Sequence, residues 1–254
     1  MSASNCVLKI LSIDDAPRSA AGEPRMELCC TTAGTPPLPV AIGTVYGALL
    51  NERAALDALG DAVHAPPYGR PPQAPILYIK PANTHVPDGA AVVVPAGVSE
   101  LEIGATLAVV FSRRATRVPA AHALDYVHGF TLASDVSVPH PDYYRPAVRF
   151  KCRDGFCPLG PAIVPAAALA DVDAIGVTVR IDGDIAARAS TATLIRPVRE
   201  LIADVTAFMS FDAGDVLLLG VAGGAPRARA GSSIEIAAAG IGTLRHTLIA
   251  KDAR

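Results

Sequence analysis

The chain has 254 residues, 51% hydrophobic and 18% charged, with a formal net charge of −2. Such apolar content excludes a disordered chain, and the charge balance lacks the broad basic field of a nucleic-acid binder. The length suits one or two domains burying roughly 70% of the unfolded surface.

Residues 1–39 read as a separate N-terminal piece, an extension or a small hairpin subdomain with candidate strands at Val7–Ile13 and Met26–Thr31, followed by TAGTPPLP as a turn or linker. The opening MSASNCVLKILSIDDAP has no long apolar run before a small-residue cleavage site, and the five cysteines are an odd number. The expectation is a cytoplasmic, reduced protein. The longest nearly uncharged stretch, Gly155–Ala170, holds Pro158, Pro161 and Pro165 and is too short to cross a bilayer.

The main body, residues 40–254, begins with a strand over Val40–Tyr46. Asn51 then caps a helix over Glu52–Val63. HAPPYGRPP, residues 64–72, breaks regular structure because proline lacks a donor and fixes its own φ. Strands follow at Pro75–Lys80, Ala91–Val94 and Leu101–Phe111, the last buried on both faces from Leu107 onward. Pro119–Tyr126 is a short helix and Val127–Val136 a strand that closes at Asp135. Val177–Ile181 and Ile185–Ala189 flank Asp182-Gly183-Asp184 as a hairpin. Pro197 opens a helix to Phe208, with Leu201, Ile202, Val205 and Phe208 at helical spacing. Asp215–Leu219, Ile234–Ala238 and Thr243–Ile249 complete the strands. Many short strands with two or three helices predict a mixed, β-rich α+β fold rather than a doubly wound sheet. The glycine-rich run at 220–224 lacks both GxGxxG spacing and a Walker lysine.

Residues 134–157, SDVSVPHPDYYRPAVRFKCRDGFC, are the densest polar region. Asp135 reads equally as a cleft carboxylate or a turn former. Lys151 follows the apolar-alternating VRF. Pointing inward, it needs an anion or a carboxylate opposite, since an unpaired buried ammonium is expensive. Its counter-ion is Asp154 or Asp135, in a structural pair or around an oxyanion or keto-acid carboxylate. Arg145 suits a planar carboxylate, gripped bidentately, or is a solvated loop arginine. Tyr143 and Tyr144 stand beside it. His140, between two prolines, reads more readily as a surface loop residue than as a catalytic base.

Cys152 and Cys157 lack CxxC spacing and read as small buried fillers. Cys29 and Cys30, adjacent on a strand, face opposite ways. Glu100 and Glu102 would share a strand face, and with Asp135 would make an oxygen-rich Mg²⁺ site. There is no nucleophile elbow and no HExxH.

From about residue 40 to the end the chain resembles the fumarylacetoacetate hydrolase family. The segments that carry the resemblance are YIKPANT (78–84), TLAVVF (106–111), GFTLASDVS (129–137), KCRDGFCPLGP (151–161), FDAGDVLLLG (211–220) and IEIAAAGIGTLRHTLI (234–249). GTVYGALLNERAALDAL and YYRPAVRFKCRDGFCPLG are similar to the N-terminal halves of its bifunctional isomerase/decarboxylase branch, in 4-hydroxyphenylacetate catabolism. The resemblance implies a mixed β-roll, a bound Mg²⁺, Mn²⁺ or Ca²⁺, and chemistry on keto acids through enolate-like intermediates. The implied substrates are 5-oxopent-3-ene-1,2,5-tricarboxylate, decarboxylated, and 2-hydroxyhepta-2,4-dienedioate, isomerised.

Carried over residue by residue, the resemblance assigns Asp135 to the metal. The two glutamates of the family's Glu-x-Glu motif fall on Gly104 and Thr106, which leaves the ion weakly held or absent. Glu100 and Glu102 keep the spacing four residues early. The His–Glu pair of the hydrolytic members falls on Ala55 and Ala58, and the GTP-type turn on Gly220-Val221-Ala222. Lys151 matches the active-site lysine. The expected catalytic residues are Lys151, Arg145 and Asp154, with Tyr143, Tyr144 and Lys80 on the substrate. The implied partners are a small keto di- or tricarboxylate and a second subunit, in a homodimer or with a related metal-bearing chain. Three readings stand: a catalytic subunit, a non-catalytic partner, and a metal-independent keto-acid lyase or isomerase.

Overall fold

The structure, a computed structural model, describes residues 25–32, 36–140 and 147–251. The strands are β1 (Glu27–Cys30), β2 (Leu38–Ala41), β3 (Val45–Leu49), β4 (Ile76–Lys80), β5 (His85–Pro87), β6 (Ala90–Val94), β7 (Leu101–Phe111), β8 (Val127–Ser137), β9 (Cys157–Val164), β10 (Gly176–Ile181), β11 (Asp184–Ser190), β12 (Val216–Leu218), β13 (Arg227–Ala228), β14 (Ser233–Ala238) and β15 (Gly242–Ala250). The α-helices are α1 (Arg53–Asp57), α2 (Val148–Lys151) and α3 (Val198–Thr206), and short 3₁₀ turns are interspersed among the strands.

The described residues form two sheets. The larger runs β2-β1-β9-β8-β7-β12-β3-β4, with β13 on β7 and β5 on β9; the smaller runs β11-β10-β14-β15-β6. Parallel pairs (β1 with β9, β12 with β3, β15 with β6) sit among antiparallel ones. This is the expected mixed, sheet-dominated fold.

β7 organises the core. Successive side chains on a strand point to opposite faces. Leu101, Ile103, Leu107, Val109 and Phe111 pack between the two sheets with Val179, Ile236, Leu244 and Leu248. Ala108 and Val110 face a second cluster with Leu28, Val45, Leu159, Val216 and Leu218. Both faces are buried, which is why this segment is almost uninterruptedly apolar. Each large aliphatic side chain here contributes about 1.5–3 kcal/mol by leaving water. The second face turns polar toward the start of β7, at Glu102, Gly104 and Thr106. Asp135 of β8 pairs with Gly104, and Ser137 with Glu102. The alternation that builds the core therefore also lays out one polar floor.

Several elements differ from the sequence reading. The strand expected over Val40–Tyr46 is two strands, β2 and β3. Between them Gly43 passes so close to Asp215 that a Cβ would clash with its carboxylate. Asp215 Oδ1 accepts from Thr44 N at 2.8 Å. The helix over Glu52–Val63 stops after Asp57, ahead of Gly60 at φ +50°. Its N-cap is Glu52, whose Oε2 accepts from Ala55 N at 3.1 Å. Asn51, the expected cap, instead donates to the carbonyls of Leu219 and Arg196 and accepts from Arg196 N. α3 ends at Thr206, so Phe208 lies beyond its apolar stripe and is 62% exposed. β1 pairs with β2, which spans the division placed after residue 39, and Cys30 also pairs with Ile163 of β9. Val7–Ile13 lies outside the described residues.

Candidate functional site

The polar floor of β7 and β8 opens into a cavity of about 270 Å³. Its polar lining is Tyr78, Glu102, Asp135, Ser137, His140, Lys151 and Arg227; Gly104, Ala55 and Val221 line it without polar side chains.

Asp135 is the centre, 2% exposed. Its Oδ2 accepts from the Tyr78 hydroxyl at 2.6 Å and from Lys151 Nζ at 2.7 Å. Its Oδ1 lies 2.7 Å from Lys80 Nζ. Tyr78 and Lys80 are two apart on β4, so strand alternation brings both to the same side.

Lys80 is 0% exposed. Its ammonium donates to the carbonyls of Val136 (2.7 Å), Lys151 (2.9 Å) and Phe156 (2.9 Å). All three N–H groups are thus spent on backbone oxygens, and Asp135 Oδ1 meets the ammonium as an ion contact without a hydrogen bond of its own.

Lys151 differs. It lies on α2, one turn held by Lys151 N to Ala147 O at 2.9 Å. Its Nζ has one protein acceptor among the described residues, Asp135 Oδ2, and sits 4.8 Å from the Tyr78 ring centre. Two of its three N–H groups are left for the cavity.

Charge follows geometry here. Burial pushes the Asp135 carboxyl up, but the ammoniums of Lys151 and Lys80 outweigh it and hold the group well below the usual carboxylate range. Burial lowers Lys80, against the pull of Asp135, with Lys151 adding to the lowering. Burial and the adjacent Asp135 charge raise Tyr78 well above its ordinary value, so the phenol keeps its proton. Two ammoniums therefore share one carboxylate and a neutral phenol. Elsewhere on the wall, Glu102 and Arg227 face each other at 3.5 Å and cancel.

The residues present do not fit a divalent cation. Both Asp135 oxygens already face ammoniums, whose like charge repels a metal ion. A Cβ on Gly104 would stand 2.8 Å from Asp135 O and 3.0 Å from both γ-methyls of Val221, so valine fills the space a side chain there needs. Thr106 Oγ1 donates to Leu107 O at 3.1 Å and accepts from Gly220 N at 3.3 Å. Glu102 lines the cavity while Glu100 is exposed and precedes β7. Among the described residues no three His, Cys, Asp or Glu side chains cluster to hold a metal. The oxygen-rich site built from Glu100, Glu102 and Asp135 is therefore not formed.

The structure brings Lys151, Asp135 and Lys80 together, and the counter-ion of Lys151 is Asp135. Lys80, expected on the substrate, reaches the cavity only through Asp135. Asp154 is exposed, and its Oδ1 accepts from Asn83 Nδ2 at 2.7 Å; it does not line the cavity. Tyr143, Tyr144 and Arg145 lie outside the described residues. His140 is a cavity residue rather than a plain surface one, because its ring stacks on Phe150 at 5.1 Å. Val148–Lys151 is helical, not alternating. Cys157 is buried as expected; Cys152 is half-buried, with Sγ 3.1 Å from Ile79 O. Tyr78 was missed, although its two-residue spacing from Lys80 was visible.

The pattern of the family described as fumarylacetoacetate (FAA) hydrolase C-terminal matches residues 44–249. The chain is 38% identical over 210 residues to the 4-hydroxyphenylacetate degradation bifunctional isomerase/decarboxylase of Salmonella dublin, across 83% of this chain and 48% of that protein. It thus spans about half the length of the curated relatives it matches first. Among solved structures, 5-carboxymethyl-2-hydroxymuconate delta-isomerase from Mycobacterium smegmatis superposes with a TM-score of 0.72 at 26% identity, covering 89% of this chain and 83% of that one. Fumarylpyruvate hydrolase from Pseudomonas aeruginosa, in complex with Mn²⁺ and pyruvate, shares the fold with a TM-score of 0.76 at 20% identity, covering 89% and 97%.

Proposed function

The chain belongs to the fumarylacetoacetate hydrolase family, and on that premise we propose that it is a subunit of a decarboxylase/isomerase for small keto di- and tricarboxylates in 4-hydroxyphenylacetate catabolism. Its substrates are 5-oxopent-3-ene-1,2,5-tricarboxylate and 2-hydroxyhepta-2,4-dienedioate. One observation supports this above the others: among the described residues Lys151 gives one N–H to Asp135 and has two left for the cavity.

In this reading Lys151 holds an oxyanion as charge develops on an enolate, where a fixed ammonium in a dry site is most effective. Asp135 fixes the direction of that ammonium. Tyr78, which keeps its proton and whose ring stands beside the ammonium, is the proton donor. Arg145 takes the distal carboxylate, and Tyr143 and Tyr144 line the substrate. Asp154 serves by holding Asn83 rather than by touching substrate. The steps that need Mg²⁺, Mn²⁺ or Ca²⁺ belong to a homologous subunit with both glutamates in place. The assembly works in the cytoplasm; among the described residues no helix is long and apolar enough to cross a membrane.

The crowding of Gly104 by Val221 favours a second reading, a partner with no turnover of its own. The test is decarboxylation and isomerisation of the tricarboxylate by the purified chain in Mg²⁺, in EDTA, and with a homologous subunit bearing the full carboxylate set. Little turnover alone and a rise of about tenfold or more above either subunit is the expected result. Failure of the paired assay to exceed the homologue alone would sink the subunit assignment.

A further inference from the structure

We propose that the cavity binds a carboxylate directly on the Lys151 ammonium, with no divalent cation bridging it to the protein. The idea rests on the cavity being the ligand site of the function proposed above, but not on the pathway.

Two ammoniums stand 2.7 Å from a single carboxylate, Lys80 at Oδ1 and Lys151 at Oδ2. The Tyr78 phenol bonded to the same carboxylate is neutral, so among the described residues the cluster carries one positive charge in excess. Glu102 and Arg227, across the cavity, add nothing to that sum because they offset each other. A buried charge without a counter-charge is costly, and an anionic ligand completes the cluster.

Hydrogen bonding decides where the anion sits. Lys80 is sealed, its three N–H groups held by Val136, Lys151 and Phe156 carbonyls. Lys151 is at the wall, its side chain 11% exposed, with two N–H groups pointing away from Asp135. A carboxylate on those two groups completes the donor count of Lys151 and neutralises the excess charge in one contact.

The same geometry excludes a bridging metal. Gly104 has no side chain, and Val221 takes the room one would need. The cavity, about 270 Å³, falls just below the usual range for ligand pockets, roughly 300–1,000 Å³. It suits a short dicarboxylate.

The test is calorimetric titration of the full chain with oxalate and with pyruvate, each in excess EDTA and again in Mg²⁺. Expected is one site whose affinity in the two buffers agrees within about twofold and falls about tenfold or more in Lys151→Met, with partial recovery in Lys151→Arg. Circular dichroism of each variant checks that it folds, and the EDTA comparison on the unaltered chain stands without them. Binding that needs Mg²⁺, an unchanged affinity in a folded Lys151→Met, or no binding of either probe overturns the proposal. Turnover with the homologous subunit reports separately on the pathway: oxalate can bind in EDTA while that assay fails, and the reverse outcome is equally readable.

Discussion

Replacing Lys80 by methionine is expected to destabilise the fold by about 3–5 kcal/mol, the cost of removing one partner from a buried ion pair. Methionine fills nearly the same volume, so packing changes little. What is lost is the donor for three carbonyls, of Val136, Lys151 and Phe156, and one of the two charges that balance Asp135. These carbonyls belong to β8, to α2 and to the turn before β9, so Lys80 ties together the three segments around the cavity. Arginine is no substitute, because a planar guanidinium does not fit a cage built for a compact ammonium. For a chain of this size the midpoint of thermal unfolding should drop on the order of 10 °C. Denaturant titration of the two proteins checks it. A change below about 1 kcal/mol, the median for exposed pairs, would mean that the cage does not hold the fold.

The second large effect is acid sensitivity from His246, 2% exposed on β15. Its Nε2 lies 3.0 Å from Ser134 Oγ, while Nδ1 has no hydrogen-bond partner among the described residues. Burial pushes its pKa down to about 4, from the model-peptide value of 6.5. Above about pH 6.5 the ring is neutral in both folded and unfolded chains and costs nothing. As pH falls below that value the unfolded chain takes up the proton first, and stability declines by about 1.4 kcal/mol per unit. The decline is complete near pH 4, a total of about 3 kcal/mol. Urea unfolding at pH 7, 5.5 and 4.5 should show this slope in the native chain. His246→Gln, which can still bond Ser134, should lack that part of it. Equal slopes in the two proteins would mean that the ring charges at no cost.

Much of this fold could be read from residue order. β7 runs from Leu101 to Phe111 as expected, because a strand buried on both faces is continuously apolar and cannot be mistaken for a loop. β10, β11 and α3 follow from a turn signal and a helical stripe. The family resemblance also put Gly104 and Thr106 where two glutamates stand, and the structure then paired Gly104 with Asp135. The departures have tertiary causes. β2 and β3 separate because Asp215, far along the chain, claims the amide of Thr44. Asn51 does not cap α1 because Arg196 and Leu219 claim its amide group. Lys80 looked like a ligand-binding lysine, since its cage is made of backbone carbonyls that no side-chain pattern reveals. His140 sits where a proline-flanked histidine usually meets water, yet Phe150 gives its ring a face to stack on.

The most direct measurement is anomalous diffraction from crystals grown with Mn²⁺ and oxalate. If lysine charge has replaced the metal, an oxalate oxygen lies within about 3 Å of Lys151 Nζ, and no manganese peak stands beside Asp135. A manganese peak within about 2.5 Å of an Asp135 oxygen, with Lys151 or Lys80 swung away from it, would contradict that reading and return the site to metal chemistry.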